Sequence, residues 1–496
     1  MKRALVQQDP MQHDPMQRRT QEPAHAGRVA RAALAGLLMV LAGCSMAPRY
    51  ERPPAPVPQA FPVSAADNHV SSDSTAQDLD DWRVYFTDPA LNHLIEMALA
   101  NNRDLRTATL RIQEARALYG IQFAERLPSV DATASYNRGR TVDSSLGENV
   151  VASQYRAALG VSAFELDVFG RVKSLSDAAL AEYLASVEAQ RAVQISLIAE
   201  VASAYVAERA LYDQEQLARR TLAAREGIYA LTKRRYGAGM STAIELRTAQ
   251  MLVDSARASL AALARERTQA ASSLQLLLGD FTVDLQRSAP VLDDLTMMPV
   301  AAGLSSDLLT RRPDMREAEQ RLKAANANIG AARAAFFPSL RITTEVGSVS
   351  DGFSRLFAGG SGVWSFAPQL TLPIFSGGRN RANLDLATVR KDIAITGYEK
   401  TIQTAFREVA DALAARDQID AQVDAQKGVY EADNERMRLA QRRYTSGVAT
   451  YLELLDAQRS LFESGQELIR LKQLRLTNAI ALYRALGGGW AKEGSA

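Results

Sequence analysis

The chain has 496 residues, with 58 Lys+Arg against 56 Asp+Glu and a formal net charge of +2. That balance leaves no electrostatic footprint for nucleic acid. A single cysteine, Cys44, excludes an intrachain disulfide; only His69 and His93 lie beyond it, too few for a Cys/His zinc cluster, and no P-loop motif occurs.

Arg28 and Arg31 flank a short apolar run, Ala32 to Ala42, and small residues follow. A basic start, a short apolar stretch and a small-residue cut site read as a secretory signal, 1–43, too short to span a membrane as a helix. The leader before Arg28 is long and polar, and Met11 and Met16 are alternative starts. Leu41-Ala42-Gly43-Cys44 resembles a bacterial lipobox. The resemblance implies a covalent lipid on Cys44, which becomes the first mature residue, and Ser45 behind it is compatible with outer-membrane sorting. Without the leader the chain carries 52 basic and 53 acidic side chains. Pro48 to Pro62 is proline-rich and expected to be extended, and Ser64 to Asp78 is polar. Residues 44–88 are therefore expected to form a tether and an equatorial segment.

From Pro89 the pattern turns helical, and the chain repeats itself. Asp104 to Val130 recurs at Asp314 to Leu340, with Arg111, Ala115, Gly120, Pro128 and Ser129 matched by Arg321, Ala325, Gly330, Pro338 and Ser339. Arg235-Tyr236-Gly237-Ala238-Gly239 matches Arg443-Tyr444-Thr445-Ser446-Gly447, and Glu-Leu-x-x-Ala-Gln follows each. A period this long indicates two halves of one architecture rather than a solenoid. The halves are expected at 89–279 and 307–487, with an equatorial linker at 280–306 and a tail at 488–496.

Each half carries two stretches of period-two alternation, expected at 129–140 and 153–167, then at 339–349 and 363–374. Tyr155, Ala157, Leu159, Val161 and Ala163 form one apolar face, and Trp364, Phe366, Leu370 and Leu372 another. About ten residues is the length of a membrane-spanning strand. Four strands cannot close a barrel with a lumen, and open edges are not tolerated in lipid. Twelve strands from three copies would satisfy both constraints. A soluble sheet with one wet face is the alternative. After the strands come two proline-free stretches, about Arg171 to Tyr236 and Arg379 to Tyr444, each expected to form a helix of roughly 95–100 Å. Return helices are expected at 242–278 and 450–486. In the last, Leu455, Phe462, Ile469, Leu476 and Tyr483 recur every seven residues beside Leu454, Leu461 and Leu468, which predicts supercoiled packing.

The lipobox, the start Ala47-Pro48-Arg49-Tyr50-Glu51-Arg52-Pro53, the segment Asp80-Asp81-Trp82 to Pro89, the doubled helices and tips, and the closing Ala485 to Trp490 together resemble the outer-membrane factor family of tripartite efflux pumps. This is the TolC superfamily, and the likeness is to its OprM-like, NodT-type lipoproteins. It implies a mostly α chain with four β-strands and four barrel helices. Three chains would complete a twelve-strand membrane barrel and a periplasmic helical barrel. It further implies a passive duct with no enzymatic activity, metal or cofactor beyond the lipid. A periplasmic adaptor and an inner-membrane RND-type transporter would deliver drugs or small toxic compounds. Export of metal ions or protein through the same tube is an alternative, as is a pore-less periplasmic coiled-coil spacer.

The resemblance also assigns residues. Gly239, Met240, Ser241, Thr242, Gly447, Val448, Ala449 and Thr450 lie at tips that would dock the adaptor, with the glycines permitting the turn and the threonines capping the next helix. Leu452, Asp456 and Arg459 share one face of the last helix and match a periplasmic gate, whereas Ile244, Thr248 and Met251 stand at the equivalent positions of the first half. An i, i+3 surface ion pair is the simpler account of Asp456 and Arg459. Pro128, Gly170, Pro338, Pro373 and Gly378 fall where strand and helix join.

Overall fold

The computed structural model describes residues 45–58, 61, 81–142, 149–284, 291–298 and 306–488. Cys44, the leader and residues 489–496 lie outside the described residues. In chain order the elements are α1 (Trp82–Tyr85), α2 (Pro89–Asn101), α3 (Arg103–Ala124), β1 (Asp131–Val142), β2 (Asn149–Leu166), α4 (Arg171–Gly237) and α5 (Ala243–Leu278). The second half supplies α6 (Pro313–Ala334), β3 (Ser339–Ser350), β4 (Gly362–Thr371), α7 (Arg379–Thr445) and α8 (Tyr451–Ala485). Among the described residues no helix is long and apolar enough to cross a membrane.

The helix ends follow local chemistry. Asp88 accepts from the backbone N–H groups of Ala90 and Leu91 and Pro89 opens α2, while Asn102 accepts from Asp104 and Leu105 to start α3. Gly170 and Gly378, at φ 71° and 84°, precede the two long helices, each of 67 residues. Both glycines let the chain swing from strand into helix through the left-handed region. Pro128, Pro338 and Pro373 lie just outside the strands, where a missing N–H leaves no ladder bond unmade.

All four strands form one antiparallel sheet in the order β1-β2-β3-β4. β2 is longer than the alternation suggests, 18 residues, and contains a bulge between Val161 and Phe164. There Ala163 takes φ 52°, the one non-glycine residue at positive φ among those described. The extra residue corrects the expected face of Ala163. It resets the pleat so that Phe164 and Leu166 continue the apolar face and Glu165 joins the polar one. The resulting faces differ sharply. One carries Leu159, Val346, Trp364, Phe366 and Leu370, all more than half exposed. The other carries Arg156 paired with Glu345, and Glu165 paired with Arg171 at 2.7 Å.

The largest core lies at the equator of the helical body. Tyr85, Phe86 and Tyr483 meet with ring centroids 5.0–5.1 Å apart, and the Tyr85 hydroxyl donates to the Ala479 carbonyl at 2.7 Å. Ile95, Val201, Leu274, Ile402 and Ile480 fill the same core. The proline-rich tether is docked rather than free. Asn326 donates to the Pro48 carbonyl at 2.7 Å, Arg52 and Tyr50 bond Glu319, and Phe61 stacks on Phe406 at 4.8 Å. A Cβ on Gly330 would stand 2.7 Å from the Ala47 nitrogen, so the glycine makes the seat for this segment.

In α8 the buried stripe is Leu454, Ala457, Ser464, Leu468 and Leu471, with Leu461 partly buried. This displaces the expected heptad by one residue over the first half of the helix: Leu455, Phe462 and Ile469 are only half-buried, whereas Leu476 and Tyr483 lie in the core.

Candidate functional site at the helix tips

The two tips are built alike. Gly239 and Gly447 both sit at φ 77° with open space around them, and each closes the turn between a long helix and its return helix. The Thr242 hydroxyl accepts from the Glu245 N–H at 3.2 Å, and the Glu245 carboxylate accepts from the Thr242 N–H at 3.2 Å, a complete capping box. Thr450 caps α8 the same way at 3.4 Å, but its Glu453 turns to Arg443 instead, at 3.2 Å. Met240 and Val448 project from the tips, 72% and 71% exposed. Capping accounts for the threonines and the turn for the glycines, which leaves Met240, Ser241, Val448 and Ala449 as the surface the tips offer.

Leu452, Asp456 and Arg459 lie on one exposed face of α8, with Leu452 71% exposed. Arg459 donates to the Asp456 carboxylate at 3.2 Å. The sequence did not single out a second partner. Arg436 of α7 donates to the same carboxylate, so Asp456 bridges two helices as well as one turn of its own. Nothing in the spacing announces a contact twenty residues away across a turn.

The two halves are joined just below the tips by residues that sequence reasoning also missed. Arg235 of α4 donates to the Tyr444 and Thr445 carbonyls at 3.1 and 3.3 Å, and its guanidinium lies 4.6 Å from the Tyr444 ring. It thereby satisfies terminal carbonyls of α7 that have no intrahelical donor. Tyr444 and Tyr451 face each other at 5.8 Å, and burial pushes the Tyr451 hydroxyl up to about 12. Leu454, fully buried, anchors this small core with Ile228, Ala249 and Met437. The repeat-one counterparts of Leu452 and Arg459, Ile244 and Met251, are likewise open, 78% and 60% exposed.

A doubled unit of helix, strand pair and long helical hairpin, with an apolar sheet face and ion pairs below the tips, defines the class. The chain belongs to the outer membrane efflux protein family, whose model matches residues 94–280 and again 304–488. It is 48% identical over 458 residues to the outer membrane protein OprJ of Pseudomonas aeruginosa, covering 92% of this chain and 95% of that protein. It is 46% identical over 466 residues to the toluene efflux pump outer membrane protein TtgC of Pseudomonas putida, covering 93% and 96%. Among solved structures, the open state of the Neisseria gonorrhoeae MtrE outer membrane channel superposes with a TM-score of 0.82 at 42% identity, covering 91% of this chain and all of that one. A membrane protein from Pseudomonas aeruginosa gives 0.84 at 46% identity, covering 90% and 100%. The chain is an outer-membrane channel of an efflux system.

Proposed function

We propose that three copies of this chain close into one tube and pass small lipophilic compounds outward, with the α8 tips as its gate. The observation that carries this reading is a broken pseudosymmetry. Within the chain, Ala178 and Ala181 of α4 pack on Ala324 and Ala327 of α6, and Ala185 further along α4 is also buried. The equivalents of the three α4 alanines on α7 are Leu386, Val389 and Ile393, which are 47%, 53% and 64% exposed. On α3, Glu114 and Ala117 are the counterparts of Ala324 and Ala327, and the nearby Leu118 and Ile121 are 59% and 65% exposed. Large apolar stripes on both partners of a missing contact point to the next copy. The edges of β1 and β4 require the same closure, because an open edge is not tolerated in lipid.

In such a tube Asp456, Arg459 and Arg436 recur three times. Like charges in a ring filter ions, and the Arg436–Asp456 bridge holds α8 against α7 in the narrow arrangement. Exposed pairs of this kind contribute about 0.2–1 kcal/mol each. Three copies therefore bias closure by about 0.6–3 kcal/mol, enough to shift the open population by roughly three- to 150-fold. The tips would seat a periplasmic adaptor, an inner-membrane transporter would supply the energy, and a lipid on Cys44 would anchor the docked N-terminal segment. TtgC is named for toluene efflux, and cargo of that kind fits a duct that binds its load weakly.

The test is single-channel conductance of the purified protein in planar bilayers, with oligomer mass measured alongside. Trimers with small, flickering conductance are expected, rising when Asp456→Ala is introduced. Monomers without conductance in either form would refute the duct.

A further inference from the structure

The apolar face of the sheet ends outward in an aromatic row. Tyr136 and Tyr155 are cross-strand partners 4.6 Å apart, and Tyr155 meets Phe353 at 5.8 Å. From Leu166 to Tyr155, β2 runs about 35 Å along its axis, or about 27 Å along the membrane normal at a tilt of about 40°. That is the depth of an apolar band, so the row marks its outer rim.

The next two outward positions on that face of β1 are Arg138 and Arg140, paired with Ser153 and Val151. Both are exposed, and neither forms an ion pair with a carboxylate among the described residues. The arginines on the opposite face behave differently: Arg156 has Glu345 and Arg341 lies 4.0 Å from Glu165. Successive residues on one face rise about 5 Å along the tilted normal, which sets Arg138 and Arg140 about 5 and 10 Å beyond the tyrosines. This is the headgroup layer. An arginine is expensive on the lipid face at mid-depth but nearly neutral at the rim, and a fork of N–H donors matches phosphate oxygens.

We propose that Arg138 and Arg140 form a binding surface for the phosphorylated glucosamine headgroups of lipopolysaccharide in the outer leaflet. Among the described residues the face supplies no counter-ion for them, and it continues the membrane-facing band into the layer where such phosphates lie. The proposal rests on the membrane placement of the sheet, which the bilayer conductance tests separately.

The experiment is native mass spectrometry of the full assembly in detergent, titrated with bisphosphorylated lipid A, enzymatically dephosphorylated lipid A and phosphatidylglycerol. The wild-type protein is expected to bind the bisphosphorylated form at least tenfold more tightly than the other two. Arg138→Gln with Arg140→Gln is expected to erase that preference, while Arg265→Gln, far off on the helical body, leaves it intact. Equal binding of all three lipids by the wild type overturns the proposal without recourse to any variant. So does a double variant that keeps the preference.

Discussion

At the residue scale, the proposed gate turns on one carboxylate with partners on two helices. Asp456 is held by Arg459 from its own helix and Arg436 from the neighbouring one. Arg436→Ala is therefore expected to raise leak conductance as Asp456→Ala does, and the double variant to add little more, because both remove one bridge. Additive conductances in that cycle would show that the two residues act separately. Glu319 offers a pH test of the tether. Burial pushes its carboxyl up, but bonds from Arg52 and the charges of Lys323 and Arg52 outweigh this and hold it below the ordinary carboxylate range. A depressed folded value means that this stabilisation is present above the ordinary range and is lost as pH falls through the folded value. Cleavage within residues 45–58 by an acid-active protease should rise as pH drops below about 4, and Glu319→Gln should flatten that dependence. A pH-independent wild type would dismiss the role of Glu319.

At the element scale, two irregularities decide what the regular pattern does. The bulge in β2 moves Glu165 to the polar face and keeps Phe164 and Leu166 on the apolar one. Its strained residue, Ala163 at φ 52°, predicts that Ala163→Gly stabilises the sheet by about 0.5–1 kcal/mol, whereas Ala163→Val destabilises it. The midpoint of thermal dissociation would report both signs. In α8 the buried stripe passes through Leu454 and Leu468 rather than Leu455 and Ile469. Leu454→Ala is expected to cost about 2–5 kcal/mol locally. Amide exchange should accelerate around Tyr444 and Tyr451 and leave the equatorial core around Tyr85 and Tyr483 protected. Uniform acceleration would mean the tips are not an independent cooperative unit.

At the scale of the whole molecule, the two halves are equivalent in chain order but not in surroundings. The α4–α6 seam is small and closed by Ala178, Ala181 and Ala324 inside the chain, whereas its counterpart on α7 is large and bare. Val389→Asp is expected to prevent ring closure, because it places three unpaired carboxylates in an apolar seam. The fold of each chain would survive, since Val389 is outside the described cores. Mass measurement in detergent should then return monomers with unchanged helix content. Trimers at wild-type yield would relocate the interface.

Much of this was legible in one dimension. The duplication, the long helices, the four strands and the tip turns follow from periodicity, breakers and caps, which act over a few residues and leave a local trace. Arg171, Arg379 and the turns at Gly239 and Gly447 were readable for that reason. Tertiary structure alone decided what depends on the approach of distant segments. It placed Arg235 on the carbonyls of Tyr444 and Thr445, brought Arg436 to Asp456, seated Ala47 against Gly330, and shifted the seam of α8 by one residue. A heptad shows that a helix has an apolar stripe, but two adjacent stripes compete. The neighbour available to each, inside the chain or beyond it, determines which one is buried.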